Sequence, residues 1–250
     1  MVSHMDPRLS KGGAEIAALQ LYEQLLSSDD IEGWFLSAAP TSLEPRDGVV
    51  FAQPFDERTY VYAGGRFDHF LHANMDAQFF EHARALFAEI QPDIVHFHHY
   101  TNFGVELFGI VKEVVPRARI VLTLHEFLAI CHHYGQMVRR DSFVLCERSG
   151  PRDCAQCFPD QSPQNFFLRK AYIMRYFREV DHFISPSEFL AGRYVEWGLE
   201  RVRISVIENG SRHVASRAAP GDTPGDTPSS RSKTLSSRFA CGTAGRSMPA

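Results

Sequence analysis

The chain has no stretch of 18 consecutive apolar residues, so no segment reads as a membrane-spanning helix. Its opening, MVSHMDPRLSKGG, lacks the apolar centre of a secretory signal. These two absences predict a cytoplasmic protein, at most one resting on the inner face of a membrane. No G-x-G-x-x-G opens a helix, which argues against a standard dinucleotide site. No Tyr-x3-Lys pair occurs, which weighs against a nucleotide-sugar epimerase. Positive charge is scarce as well. Lys and Arg number 26 against 30 Asp and Glu, for a net charge of -4, and the basic excess falls in residues 211–250. The remaining body is acidic, and such a body predicts no nucleic-acid partner.

Aromatic and large apolar residues also run out at Ser211. Beyond it the sequence is Ser, Ala, Pro, Gly and Thr, with GDTP repeated back to back and a single aromatic, Phe239. That segment buries too little apolar surface to offset the entropy of ordering, so 211–250 is expected to be a disordered, low-complexity tail.

Residues 1–210 alternate between strand and helix signals. Strands are expected at Gly33–Ala39, Thr59–Gly64, Asp93–His99, Arg119–His125, His182–Ser187 and Arg203–Gly210. Helices are expected at Ala14–Leu26, Asp76–Ile90, Gly104–Val115, Gln164–Val180 and Ser187–Gly198, from apolar spacing and from caps such as Ser187 and Gly198. Near-continuous apolar strands alternating with helices predict an α/β, Rossmann-like doubly wound, mostly parallel sheet. Met1 and Val2 stand where the first strand should end, so that strand is expected to be almost missing. Ligands in such sheets bind at the carboxyl ends of strands. The strand-end residues are His98, His99, His125, Glu126, Ser185, Ser187, Glu208 and Asn209.

Two of these ends stand out. Lys11–Glu15, KGGAE, opens a helix, and Gly12 and Gly13 let backbone approach a ligand while the helix end offers free N–H groups. A diphosphate fits there; so does a plain tight turn. His125 closes an apolar strand, where an imidazole either bonds a sugar hydroxyl or is satisfied internally. His96 and His98 share one strand face and His99 the other, a pattern read first as structural. Phe79, Phe80 and Phe87 read as core.

GGAE, PDIVHFHH, VLTLHEFLAIC, ISPSEFL and VIENG occur in the order seen in family 4 glycosyltransferases, and the chain resembles their N-terminal domain over Val2–Gly210. The resemblance implies a GT-B arrangement of two Rossmann-like domains, with the acceptor held mainly by the first. It implies retaining transfer from a nucleotide-sugar donor, a UDP- or GDP-sugar, to a sugar or lipid-linked saccharide, without a required metal. By position, Gly12 and Gly13 would meet the donor diphosphate. His125 would lie at the reacting centre, with Glu126 where Asp is common, and Glu208 and Asn209 would lead into the hinge. The family's second domain, with its basic pair and E-x7-E donor element, has no counterpart after Gly210. The chain is therefore expected to be truncated, inactive alone, and prone to self-association through an uncovered cleft face. Polysaccharide assembly is the pathway class the resemblance suggests.

Cys131, Cys146, Cys154 and Cys157 crowd a Cys-rich insertion at about 131–160. Four thiols with one C-x2-C suit a structural zinc, a disulfide pair or unligated thiols. His132 and His133 add further candidate ligands, and Arg139 and Arg140 could meet an anionic acceptor. The competing reading is a non-catalytic, metal-stabilised binding or regulatory module of the same fold.

Overall fold

The computed structural model describes residues 1–39 and 49–210; the tail expected to be disordered lies outside them. In chain order the elements are β1 (Val2–Ser3), α1 (Gly13–Leu25), β2 (Phe35–Ala38), β3 (Phe51–Ala52), β4 (Thr59–Tyr62), β5 (Phe67–Asp68), β6 (Ala73–Asn74) and α2 (Ala77–Ile90). There follow β7 (Ile94–Phe97), α3 (Glu106–Val114), β8 (Arg119–Thr123), α4 (Pro151–Cys157), α5 (Pro163–Phe177), β9 (His182–Ser185), α6 (Glu188–Trp197) and β10 (Ile204–Val206).

Eight strands form one sheet in the order β10-β9-β8-β7-β1-β2-β4-β3. Every neighbouring pair is parallel except β3–β4. The order reverses at β1. The chain runs outward through β2 and β4, returns to the other side of β1 at β7, and continues through β8 and β9 to β10. This is the doubly wound α/β class, and the crevice at the carboxyl ends of β1 and β7 is its topological switch point. The first strand, expected to be almost missing, is two residues long yet central. Val2 sits opposite both Leu36 and Phe97, and both strand residues are buried.

The pleat sorts side chains. On β7, Val95 and Phe97 enter the large core with Ile120 and Leu122 of β8, while His96 and His98 occupy the opposite face. On β2, Leu36 and Ala38 join that core, and Phe35 turns to a smaller cluster with Ala18 and Tyr22 of α1. Phe79 and Phe87 are buried and Phe80 packs against them, as their spacing predicts. Each fully buried Phe contributes roughly 1.5–3 kcal/mol.

Helix starts follow the capping chemistry. Ser162 and Ser187 accept from the amides of Asn165 and Leu190, and Asp76 from that of Gln78. Gly198 ends α6 at φ 124°, which a glycine adopts without strain. The β3 strand, the β5–β6 hairpin and α4 were not expected. Two-residue strands carry no alternation to read. Among the described residues, no helix is long and apolar enough to cross a membrane.

Candidate active site

Three adjacent strands deliver polar side chains to one end of the sheet. Beyond β1 comes His4, beyond β7 come His98 and His99, and beyond β8 come His125 and Glu126. They meet in two pairs. Nδ1 of His98 lies 3.1 Å from Nε2 of His125, and Nε2 of His99 lies 2.8 Å from Oε1 of Glu126.

The tautomer of His99 is set by backbone. The amides of Tyr100 and Thr101 both donate to its Nδ1 at 3.0 Å, so the proton sits on Nε2 and is donated to Glu126. His98 is 4% exposed and its Nε2 has no partner. Orphaned buried N–H groups are rarer than unsatisfied acceptors. His98 therefore donates from Nδ1 to His125, which leaves His125 with an Nδ1–H and no partner for it among the described residues. Burial pushes the His98 imidazole down to about 2, helped by His96 and His125. Burial likewise takes His125 to about 4, His96 to about 4 and His4 to about 3. At neutral pH all four are uncharged, and His125 can offer a hydrogen bond but not a cation.

His4 ties this group to α1. Its ring centroid lies 4.3 Å from that of His99, and its Nε2 is 3.3 Å from Oε1 of Glu15 in the first turn of α1. Gly12 caps that helix and Gly13 begins it. A Cβ on Gly12 would collide with the Glu15 carboxylate, whereas one on Gly13 would meet nothing within 4 Å. The Glu15 carboxylate thus lies over the Gly12 end of the helix, and an anion approaching the amides there has to displace it.

Beside the His99–Glu126 pair is a cavity of about 530 Å³, lined among others by His4, His99, Glu126, Phe67, His72 and Arg140. The β5–β6 hairpin supplies Phe67 and His72, the latter at φ 60°. Behind His72, Arg169 of α5 donates to His72 Nε2 at 3.0 Å and to the carbonyls of Ala129 and Leu128 at 2.5 and 2.8 Å. Because its Nε2 accepts, His72 holds its proton on Nδ1, 3.2 Å from the Tyr100 hydroxyl.

Of the residues singled out from sequence, Gly12, Gly13, His125 and Glu126 are joined through His4, His98 and His99. His98 and His99, read first as structural, are the links. Glu208 and Asn209 are not brought here. They follow β10 at the sheet edge, three strands from β7, and are exposed. His4, Glu15, His72 and Arg169 were missed. His4 and Glu15 were within reach of the strand-end and first-turn argument; Arg169 carries no sequence signal, since an arginine among alternating residues of a helix reads as solvent-facing.

The four cysteines are free thiols lining one small cavity of about 30 Å³ with Met137 and Phe166. Burial pushes Cys131 and Cys154 up. Among the described residues, no three His, Cys, Asp or Glu side chains are placed to hold a metal ion, so the zinc expectation finds no support in the arrangement. Their side chains point instead to local partners: Cys146 Sγ donates to the carbonyl of Arg148 at 3.1 Å, and Cys157 Sγ accepts from the amide of Arg140 at 3.3 Å.

No curated protein matches the chain. Solved structures do. HepE from Anabaena in complex with UDP is 12% identical over 84% of this chain and 44% of that one, with a TM-score of 0.45. The α,α-trehalose 6-phosphate synthase of Burkholderia multivorans is 14% identical over 78% of this chain and 42% of that one, with a TM-score of 0.38. This chain spans less than half the length of either. The sequence model of Glycosyltransferase Family 4 matches residues 11–211, most of the chain, and on that match the chain belongs to Glycosyltransferase Family 4.

Proposed function

We propose that this chain is the acceptor-side domain of a retaining glycosyltransferase that uses a nucleotide-sugar donor. The observation that carries the reading is the convergence of His4, His99 and Glu126 on one cavity at the switch point, with His4 tied to Glu15 in the first turn of α1. The helix end offers unpaired N–H groups to a diphosphate. His125, neutral and with Nδ1–H unengaged, is suited to hold a sugar hydroxyl. Glu126, oriented by His99, is suited to accept a hydrogen bond from the acceptor. In transfer, a bond forms from the acceptor oxygen to the donor's anomeric carbon. The bond from that carbon to the diphosphate breaks, and the hydroxyl proton leaves with the diphosphate. The residues that grip the donor base and sugar belong to a second domain in the resemblance, so the described residues bind and orient but do not turn over alone.

Titration of the purified chain with UDP and GDP tests this. Micromolar to millimolar binding of one of them that is abolished in Gly13→Val supports the reading. Binding of neither, or binding indifferent to Gly13→Val, removes the donor role from this domain.

A further inference from the structure

Behind His72 on the cavity wall lies the positive charge of Arg169, which no carboxylate among the described residues balances. Arg169 is 3% exposed. Its donors reach two carbonyl oxygens and the neutral His72, its Nε has no partner at all, and no carboxylate pairs with it among the described residues. A buried charge is expensive unless an opposite charge answers it. Arg140 adds a second, solvent-exposed positive charge to the cavity lining. Its guanidinium lies 4.6 Å over the Phe158 ring, it forms no ion pair among the described residues, and it lines the cavity. Among the described residues, the one carboxylate lining the cavity, Glu126, already accepts from His99.

The backbone also holds this wall in place at some cost. His72 has φ 60° and Tyr134, another wall residue, φ 49°, in the left-handed region that side chains other than glycine avoid. Phe67 and Phe158 line the same space and give it apolar ring surface.

Resting on the glycosyltransferase reading, we infer that the acceptor is an anionic saccharide, one bearing a phosphate or carboxylate that lies against Arg140 and the Arg169-backed His72 wall. The sugar ring packs on the aromatic faces and the reacting hydroxyl points towards Glu126. The negative group answers Arg140 directly. It answers Arg169 through His72, whose Nδ1 and Nε2 are both engaged and which therefore acts as a fixed polar spacer. A neutral saccharide would fill the same space and leave the buried Arg169 without a counter-charge.

The test is calorimetric titration of the chain with glucose 6-phosphate, glucuronate, inorganic phosphate and methyl glucoside, each repeated with saturating UDP and with Arg140→Gln. Arg140 is exposed, so the variant should fold; its circular dichroism and melting temperature check that. The inference expects at least one of the anions to bind about tenfold or more tightly than methyl glucoside. It expects that advantage to be lost in Arg140→Gln, to be largely kept in Arg140→Lys, and to persist with UDP present. The phosphate and glucuronate arms distinguish the two anionic chemistries. The inference is overturned if methyl glucoside binds as well as the anions, if none of them binds, if Arg140→Gln changes nothing, or if UDP displaces the anion, which would make the site the donor's. Because UDP binding is read separately, the donor reading can stand while this one falls, and the reverse.

Discussion

His99 donates to Glu126 across 2.8 Å, and the direction of that bond is set from behind by two backbone amides. The two partners are therefore unequal. His99→Phe strands the amides of Tyr100 and Thr101 in a buried loop and should lower stability by about 1–3 kcal/mol. Glu126→Ala removes a half-exposed carboxylate and should change stability by no more than about 1 kcal/mol. Urea unfolding of both variants measures the difference, and equal losses would mean the amides find other partners.

The histidine cluster makes the fold acid-sensitive. In the unfolded chain these imidazoles titrate near 6.5. In the fold, burial holds His125 and His96 at about 4, His4 at about 3 and His98 at about 2. Between those limits the unfolded state binds more protons, so this stability is fully present above about 6.5 and is lost as pH falls towards 4 and below. His98, the most buried, contributes up to roughly 1.4 kcal/mol per pH unit in that window. Urea midpoints should fall between pH 7 and pH 5, where few carboxylates titrate, and the slope should be shallower in His98→Asn. A flat profile would contradict neutral burial of these rings.

Tyr194 of α6 donates to the backbone carbonyl of Glu126 at 2.8 Å and is 2% exposed. Tyr194→Phe keeps the packing and removes that bond. Stability should drop by about 1 kcal/mol, and amide exchange in the loop after β8 should quicken. Unchanged exchange there would show that α6 does not hold Glu126 in place.

The two glycines at the start of α1 should respond differently to a methyl group. At Gly12 a Cβ meets the Glu15 carboxylate and must push it off His4; at Gly13 it meets nothing. Gly13→Ala should leave stability within about 0.5 kcal/mol or raise it slightly, since alanine favours a helix. Gly12→Ala should disturb the His4 and Glu15 resonances in a proton–nitrogen spectrum. If Gly13→Ala unfolds the chain, binding losses in Gly13 variants cannot be read as lost ligand contact.

The sheet was largely legible because strands such as Ile94–Phe97 and Arg119–Thr123 are apolar runs bounded by Pro92, Pro116 and polar ends. The two-residue strands were not, since Val2–Ser3 and Phe67–Asp68 take their conformation from neighbours and not from any local period. At the site, strand-end reasoning found His125 and Glu126. It placed His99 on the structural side, because a strand pattern says which face a residue takes but not that Tyr100 and Thr101 will aim their amides at its ring. Arg169 was invisible for the same reason: only the fold puts Ala129, Leu128 and His72 around its guanidinium.

The central claim is that the cleft at the switch point receives a nucleotide-sugar, with the diphosphate at the start of α1 and the sugar beside His125. A crystal structure of the chain grown with UDP or GDP, whichever binds, tests it most directly. The account predicts phosphate density against the Gly13 amide, with the Glu15 carboxylate moved aside. Nucleotide bound elsewhere on the chain, with α1 still closed by Glu15, would contradict it.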